Sequence, residues 1–443
     1  MLSEQVEKYI VQNLLFEKSD KILVAFSGGA DSVALLHILK NLNFTVAAAH
    51  VNFKLRGKDS DEDELFTEDF CYKLNIQLFK ISFNTKKIAE KNKLSIEEAA
   101  RTLRYNWFGE MRMQHNYKYT ATGHHLDDRI ETFFINLTKG TGIKGLRSIL
   151  AKNNDIVRPL LFTSKDEIKN YCSENKLNYR TDYSNFDTKF IRNKFRHKVL
   201  PVFSEINPKF KESMLKNFRI YSEFEDIYKQ YIENETRNIT EFNEKLLYIN
   251  IKRLLSAAAP VSLLYEIIHH YGFKSAQNEH IFNNINNLQS GKIFFSGTHR
   301  LLKDRNFLIV DKIHIPKKED IFLIEKGIYS INEPLNISLK FLKKLPDTLK
   351  TDKKTALINT DKLTYPLKIR KFKTGDYFFP FGMNGKKLLS DFFTDEKINL
   401  FEQEKIWVLT SSKNEIIWII GYRTDNRFRI ESNTENILEI KRL

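Results

Sequence analysis

Cysteine is nearly missing: the 443-residue chain has two, Cys71 and Cys172, in unrelated segments. That excludes a disulfide framework. With no CxxC pair and no Cys/His zinc spacing, it points to a reducing compartment. No apolar run approaches the ~18 residues of a membrane-spanning helix. The stretch Met1-Leu2-Ser3-Glu4-Gln5-Val6-Glu7 has neither the basic nor the apolar region of a signal peptide. A soluble, cytoplasmic protein with no membrane partner is expected. Glycine is scarce too, at 16 residues, about half the usual ~7%. Two glycines side by side therefore carry information.

What is present is a hydrophobic fraction of 42%, enough for a packed core. The length suggests two or three domains of ~150 residues. Lysine and arginine number 71 against 56 acidic residues, a formal charge of +15. Such a surplus favours a polyanionic partner, nucleic acid ahead of membrane. A lysine-rich solvated surface is the plainer alternative.

The first half alternates strand and helix patterns. Lys21–Phe26, Thr45–Val51, Ile76–Phe83, Tyr117–Thr122 and Ile156–Phe162 read as strands. Asp31–Leu42 and Asp61–Leu74 read as helices. A third is capped by Ser95 with Glu98 and runs to about Met113, and a fourth begins near Leu126. This order predicts a parallel, doubly wound α/β sheet with ligands outside the carboxyl ends of its strands. Past Pro201 the pattern changes. Asn217–Tyr265 reads as helical, Ile293–Val310 as strand-rich, and the last part as short strands such as Ile406–Leu409 and Ile416–Ile420.

The adjacent glycines fall in Ser27-Gly28-Gly29-Ala30-Asp31-Ser32, between the first strand and the first helix. Without a Cβ the backbone can approach an anion closely, and the helix start offers free N–H groups and the positive end of its dipole. Ser27 and Ser32 add hydroxyls, and Asp31 adds a carboxylate suited to Mg²⁺ or to poising a nucleophile. No GK[ST] follows, so this is not a Walker loop, nor is it GxGxxG. The hexapeptide resembles the pyrophosphate-binding loop of N-type ATP pyrophosphatases, which implies ATP as the nucleotide.

Further segments narrow the resemblance. They are His50–Gly57, Glu98–Tyr105, and Thr122-Gly123-His124-His125-Leu126-Asp127-Asp128 with Glu131-Thr132. Lys139-Gly140-Thr141-Gly142 through Leu146, Arg158-Pro159-Leu160, Asp182–Asn185 and Ile191–His197 follow. In this order the set resembles the tRNA(Ile)-lysidine synthetases over residues 20–201. The likeness returns at Phe379–Met383 and Lys386–Phe393. Two departures stand out: Phe53 where many members carry a second histidine, and Lys139 where arginine is common.

The resemblance implies an adenine nucleotide alpha hydrolase-like domain at 1–215. A helical middle domain with a strand-rich end follows at 216–320, and a small strand-rich tRNA-binding domain at 321–443. It implies ligation of free L-lysine to carbon 2 of the wobble cytidine in the CAU anticodon of tRNA(Ile), through an adenylated cytidine, with ATP and Mg²⁺. Nucleotide contacts fall to the Ser27–Ser32 loop, His50 and Gly123. Catalytic candidates are Asp31, Arg101, Arg104, Asp127 and Asp128, with Asp31 and Asp127 for metal. Substrate contacts fall to His124, His125, Lys139, Gly140, Thr141 and Gly142. Arg192, Asn193, Arg196, Lys386 and Lys387 join them.

Each site has a plainer reading. Arg101 with Glu97 four residues before it suits a surface ion pair. His124, His125, Asp127 and Asp128 suit a capped helix start, or less well a zinc site. His50 suits a satisfied buried histidine, Lys139–Leu146 a turn, and Arg192, Lys194 and Arg196 a solvated face. A 2-thiocytidine thiolase of the same superfamily would need CxxC pairs that are absent, and a non-catalytic RNA-binding protein leaves the hexapeptide unexplained. The sequence leaves the oligomeric state open, a homodimer among the options.

Overall fold

The structure, a computed structural model, describes residues 1–181, 191–314, 321–346, 352–383 and 385–443. The Asp182–Asn185 motif lies outside the described residues. The chain divides into two compact units, Met1–Lys229 and Gln230–Leu443.

In the first unit the strands are β1 (Lys21–Ala25), β2 (Thr45–Asn52), β3 (Gln77–Ser82), β4 (Tyr119–Ala121), β5 (Lys152–Asn153) and β6 (Ile156–Val157). They form one sheet in the order β3-β2-β1-β4-β6-β5, parallel except for β5. Helices are α1 (Leu2–Gln12), α2 (Ala30–Asn41), α3 (Lys58–Lys73), α4 (Thr85–Asn92), α5 (Ile96–Gln114), α6 (Leu126–Lys139), α7 (Ile143–Leu146) and α8 (Lys165–Glu174). After them come α9 (Ile191–Lys194), a π-helical turn at Phe195–Val199, α10 (Leu200–Ile206) and α11 (Phe210–Ile239).

Strand alternation explains why the sheet is covered on both faces. Ile22, Val24 and Ala48 point to one side and pack with α2 and Ile168, Tyr171 and Cys172 of α8. Leu23, Ala47 and Ala49 point to the other and meet Trp107 and Phe108 of α5. Ser95 and Glu98 form the expected capping box of α5, with Ser95 Oγ accepting from Glu98 N at 3.2 Å. Both cysteines are buried, and burial pushes the Cys71 thiol up to about 12 and Cys172 up to about 11. Neither is a reactive thiol.

Two sequence expectations need correction. The strand expected at Ile156–Phe162 stops at Val157. Pro159 has no N–H for a ladder, and Leu161 N bonds Arg158 O in a turn instead. The helical run expected over Asn217–Tyr265 ends at Ile239. An antiparallel hairpin of Thr240–Asn243 and Leu246–Asn250 follows, turned at Glu244 with φ of +53°. The apolar run of that second strand buries Leu246, Leu247 and Ile249, which overrides local helix propensity.

In the second unit this hairpin joins Phe307–Lys312, His299–Asp304 and Ile293–Phe295 in a five-stranded sheet. Pro260–Ile268 and Ser275–Asn283 pack on it as helices. Toward the C-terminus, a five-stranded and a four-stranded sheet enclose a core around Trp418, Ile369, Ile358 and Leu438. No helix among the described residues is long and apolar enough to cross a membrane.

Helix α11 matters to the first unit. Phe218 is fully buried against Leu126, Ile130 and Phe133 of α6. Arg129 stacks 4.3 Å from the Phe218 ring, and Arg147 Nε lies 2.5 Å from the buried Glu225. A fragment ending at Lys229 should therefore unfold cooperatively. One ending at Leu215 loses Phe218 and should be weaker by ~3–5 kcal/mol, the cost of emptying such a site. Urea unfolding of the two fragments measures this, and equal midpoints would refute it.

Candidate active site

The strand β1 ends where the chain must turn sharply into α2. Gly28 has φ of +81°, a conformation that side chains resist. The Gly28 carbonyl accepts from Arg180 N at 2.9 Å, so it faces away from the helix start. Ser32 Oγ accepts from Ser27 N at 3.2 Å and donates to Gly29 O at 3.0 Å, which stitches the loop to the first turn. A Cβ added at Gly29 would meet only Ser27 Oγ at 3.6 Å and Arg180 O at 4.0 Å. That position is left open for something other than protein. The opposite holds at Gly123, where a Cβ would lie 3.1 Å from the Asp31 backbone. Glycine there lets the end of β4 press against the start of α2.

Just beyond Gly123, His125 is 2% exposed and faces three carboxylates. Its Nε2 lies 3.8 Å from Asp31 Oδ2 and 3.5 Å from Asp128 Oδ2, and its Nδ1 lies 3.6 Å from Asp127 Oδ2. Burial works against charge on the ring, but Asp128, Asp127 and Asp31 outweigh it and hold the imidazole above its ordinary pKa. Asp127 accepts from Lys165 N at 2.8 Å and pairs with Lys211 Nζ at 2.7 Å, and these contacts with His125 keep it well below the carboxylate range against burial. Asp31 differs. Burial raises its pKa, and its Oδ1 is buried without a partner.

One turn along α6, Glu131 is fully buried and takes a two-pronged bond from Arg196, Nε to Oε1 at 2.6 Å and Nη2 to Oε2 at 3.1 Å. Arg192 Nε lies 3.4 Å from the same carboxylate, and Arg196 Nη2 lies 3.6 Å from Asp128 Oδ1. The three carboxylates Asp127, Asp128 and Glu131 thus share the face of α6 that the helical repeat gives them.

A cavity of 330 Å³ opens at the carboxyl ends of β1, β2 and β4. Ser27, Asp31, Ser32 and Gly123 line one part of it, and His124, Asp128, Arg104 and Arg192 line another. His50 sits beneath. Its Nδ1 is 2.9 Å from Phe26 O and must carry the proton, so Nε2 is a buried acceptor without a partner. Burial lowers the His50 pKa and keeps it neutral.

Other expected residues lie elsewhere. Arg101 lines a separate cavity. Lys139, Gly140, Thr141 and Gly142 form an exposed end of α6 and loop. Asn193 is buried on α9. In the second unit, Lys386 stacks 5.1 Å from the Tyr377 ring and Lys387 pairs with Asp395. Sequence reasoning missed Glu131, Lys165, Arg180 and Lys211 as site residues. The i, i+4 spacing of Asp127 and Glu131 signalled the first, but nothing local signals the others.

His124 carries a pH signature. Burial, with Arg158, Arg192 and Arg101 nearby, pushes its pKa down to about 4, and its Nδ1 lies 2.8 Å from Thr122 Oγ1. The unfolded ring titrates near ~6.5. Between those values the unfolded chain binds a proton that the native one does not, so stability falls as pH drops. The expected loss is ~2 kcal/mol between pH 7 and 5. His125 has the opposite sign: its raised pKa gives stability present at acid pH and lost as pH rises through the folded value. Comparing His124→Asn with the parent isolates the first effect. The variant should gain relative stability steadily from pH 7 to 5, and a constant difference would contradict the assignment.

Comparison with known proteins agrees with this geometry. A PP-loop domain matches residues 2–203, a TilS substrate binding domain residues 242–313, and a TilS substrate C-terminal domain residues 367–440. The tRNA(Ile)-lysidine synthase of Parabacteroides distasonis is 40% identical over 435 residues, 98% of each chain. That of Bacteroides thetaiotaomicron is 40% identical over 443 residues, the whole of both chains. That of Clostridium tetani is 31% identical over 96% of this chain and 95% of its own. Likeness along the whole length, joined to a nucleotide-type loop at the head of a parallel sheet, places the chain in the tRNA(Ile)-lysidine synthase family.

Proposed function

We propose that this protein joins free L-lysine to carbon 2 of the wobble cytidine in the CAU anticodon of tRNA(Ile). The cytidine oxygen on carbon 2 attacks the α-phosphorus of ATP and pyrophosphate leaves. The ε-amine of lysine then attacks carbon 2, AMP leaves, and the nitrogen sheds a proton. The observation that carries this reading is the open position at Gly29, together with the unpartnered Asp31 Oδ1.

That position fits a polyphosphate. The first-turn N–H groups of α2 and the hydroxyls of Ser27 and Ser32 would hold it. Asp31 fits Mg²⁺, since it lines the cavity and its Oδ1 has no partner. Among the described residues no three His, Cys, Asp or Glu side chains make a ready metal cage. Phosphate oxygens and water would complete the shell, as is usual for this ion. Mg²⁺ would offset the charge that builds on the departing pyrophosphate. Asp127 has both oxygens engaged by Lys165 and Lys211, so we assign it to positioning His125 rather than to metal. Asp128 lines the cavity and is held ionised by His125 against its burial, which leaves it able to take the proton from the amine. Arg104 and Arg192, on the same cavity, are suited to the α-phosphate and the cytosine oxygen.

In the second unit, Arg429 lies 5.9 Å from the ring of Phe381, which is 67% exposed. With Lys386 on Tyr377 this makes a basic and aromatic surface suited to RNA.

Labelled lysine, ATP and unmodified tRNA test the proposal. Label should enter the anticodon with one AMP per lysine, and labelled sulfur entering instead would refute it. Asp31→Ala and Gly29→Ala should both abolish AMP release. The second is the sharper variant, because a methyl group there meets no protein atom closely.

A further inference from the structure

A second cavity, of 240 Å³, shares the Tyr105 and Phe108 side chains of α5 with the first. Arg101, Asn153, Asp155 and Arg158 supply its polar wall. Arg158 is 7% exposed, and its Nη1 donates to Leu150 O at 2.7 Å. Its Nε is buried without a partner, and no carboxylate among the described residues pairs with it. Asp155 belongs to the same wall but is paired with Arg112 at 2.9 Å. A guanidinium stays charged at any working pH, and although Leu150 O and Tyr105 engage other parts of this one, its Nε–H is left unsatisfied, which costs stability. An acceptor arriving from outside would satisfy it.

The wall discriminates between the two substrates that remain once ATP occupies the first cavity. Lysine brings two ammonium groups and one carboxylate. The wall has two guanidiniums, and its one carboxylate is already paired, so it offers the ammoniums no free carboxylate and repels them. RNA brings phosphate, flat rings and base edges rich in acceptors. The volume lies below the ~300–1,000 Å³ of sites that enclose a whole small molecule, which suits a single base. Tyr105 offers a ring, and the Arg101 guanidinium lies 5.0 Å from its centroid. Single-stranded RNA is recognised by such stacking, with hydrogen bonds to exposed base edges.

Building on the function proposed above, we infer that this cavity receives an unstacked base of the RNA adjoining the reacting cytidine. Arg101 meets its phosphate, and Arg158 and Asn153 meet its edge. The shared Tyr105 and Phe108 wall would then set the spacing between that base and the adenylation site. Arg101 becomes a specificity residue, and Arg104, three residues on, remains with the nucleotide.

Steady-state kinetics of lysine incorporation into tRNA test the inference. Arg101→Ala, Asn153→Ala and Arg158→Lys should each raise the KM for tRNA roughly tenfold, the loss of one stacking or base-edge contact. The KM for ATP and for lysine should stay unchanged. Arg101 and Asn153 are exposed, so their variants do not put the fold at risk. A rise in the KM for lysine alone would make this an amino-acid pocket and overturn the inference. Unchanged constants in both exposed variants would overturn it too. Wild-type enzyme that fails to incorporate lysine would refute the proposed reaction instead. Direct titration of tRNA against the same variants would still decide the cavity, with weaker binding expected and equal binding contradicting it.

Discussion

The site depends on one buried imidazole among three carboxylates. His125 stands at the start of α6, and through Asp31, Asp127 and Asp128 it ties that start to the start of α2. Asp127 carries the tie onward to the first turn of α8 and to Lys211 of α11. Without a charge on His125, three acidic groups would crowd a buried volume, and their mutual repulsion would push protons onto them. With it, Asp127 and Asp128 stay ionised while Asp31 keeps an oxygen free. Gly123 permits the arrangement by letting β4 approach Asp31 closely.

Around that centre the residues divide by task. Glu131 fixes two arginines, the bidentate Arg196 and the looser Arg192. Arg180 does the same on the opposite flank, its backbone bonded to Gly28 and its side chain to Glu62 and Asp63 of α3. The glycine loop is thus braced from outside, while the space at Gly29 stays open.

Much of this was legible in the sequence because the signals are local. Apolar runs bounded by polar residues gave β1 to β4, and Ser95 with Glu98 gave the start of α5. The rarity of glycine made the Gly28-Gly29 pair conspicuous. What was hidden is long-range. No pattern near Asp127 announces Lys211, and no pattern near Gly28 announces Arg180. Arg101 and Arg104 are three apart on one helix and read as a pair, yet Tyr105 and Phe108 separate them into two cavities. The hairpin after Ile239 was hidden for another reason: its second strand is a short apolar run, which periodicity alone does not tell from helix.

The account turns on the charge of His125. Nitrogen-15 NMR of the full chain with labelled histidine reads it directly, one ring at a time. The midpoint of His125 should lie above the ~6.5 of a free ring. Asp128→Asn should shift that midpoint downward. A His125 whose midpoint lies at or below that of a free ring, or one that titrates identically in the Asp128 variant, would contradict the claim that this ring holds the carboxylates in place.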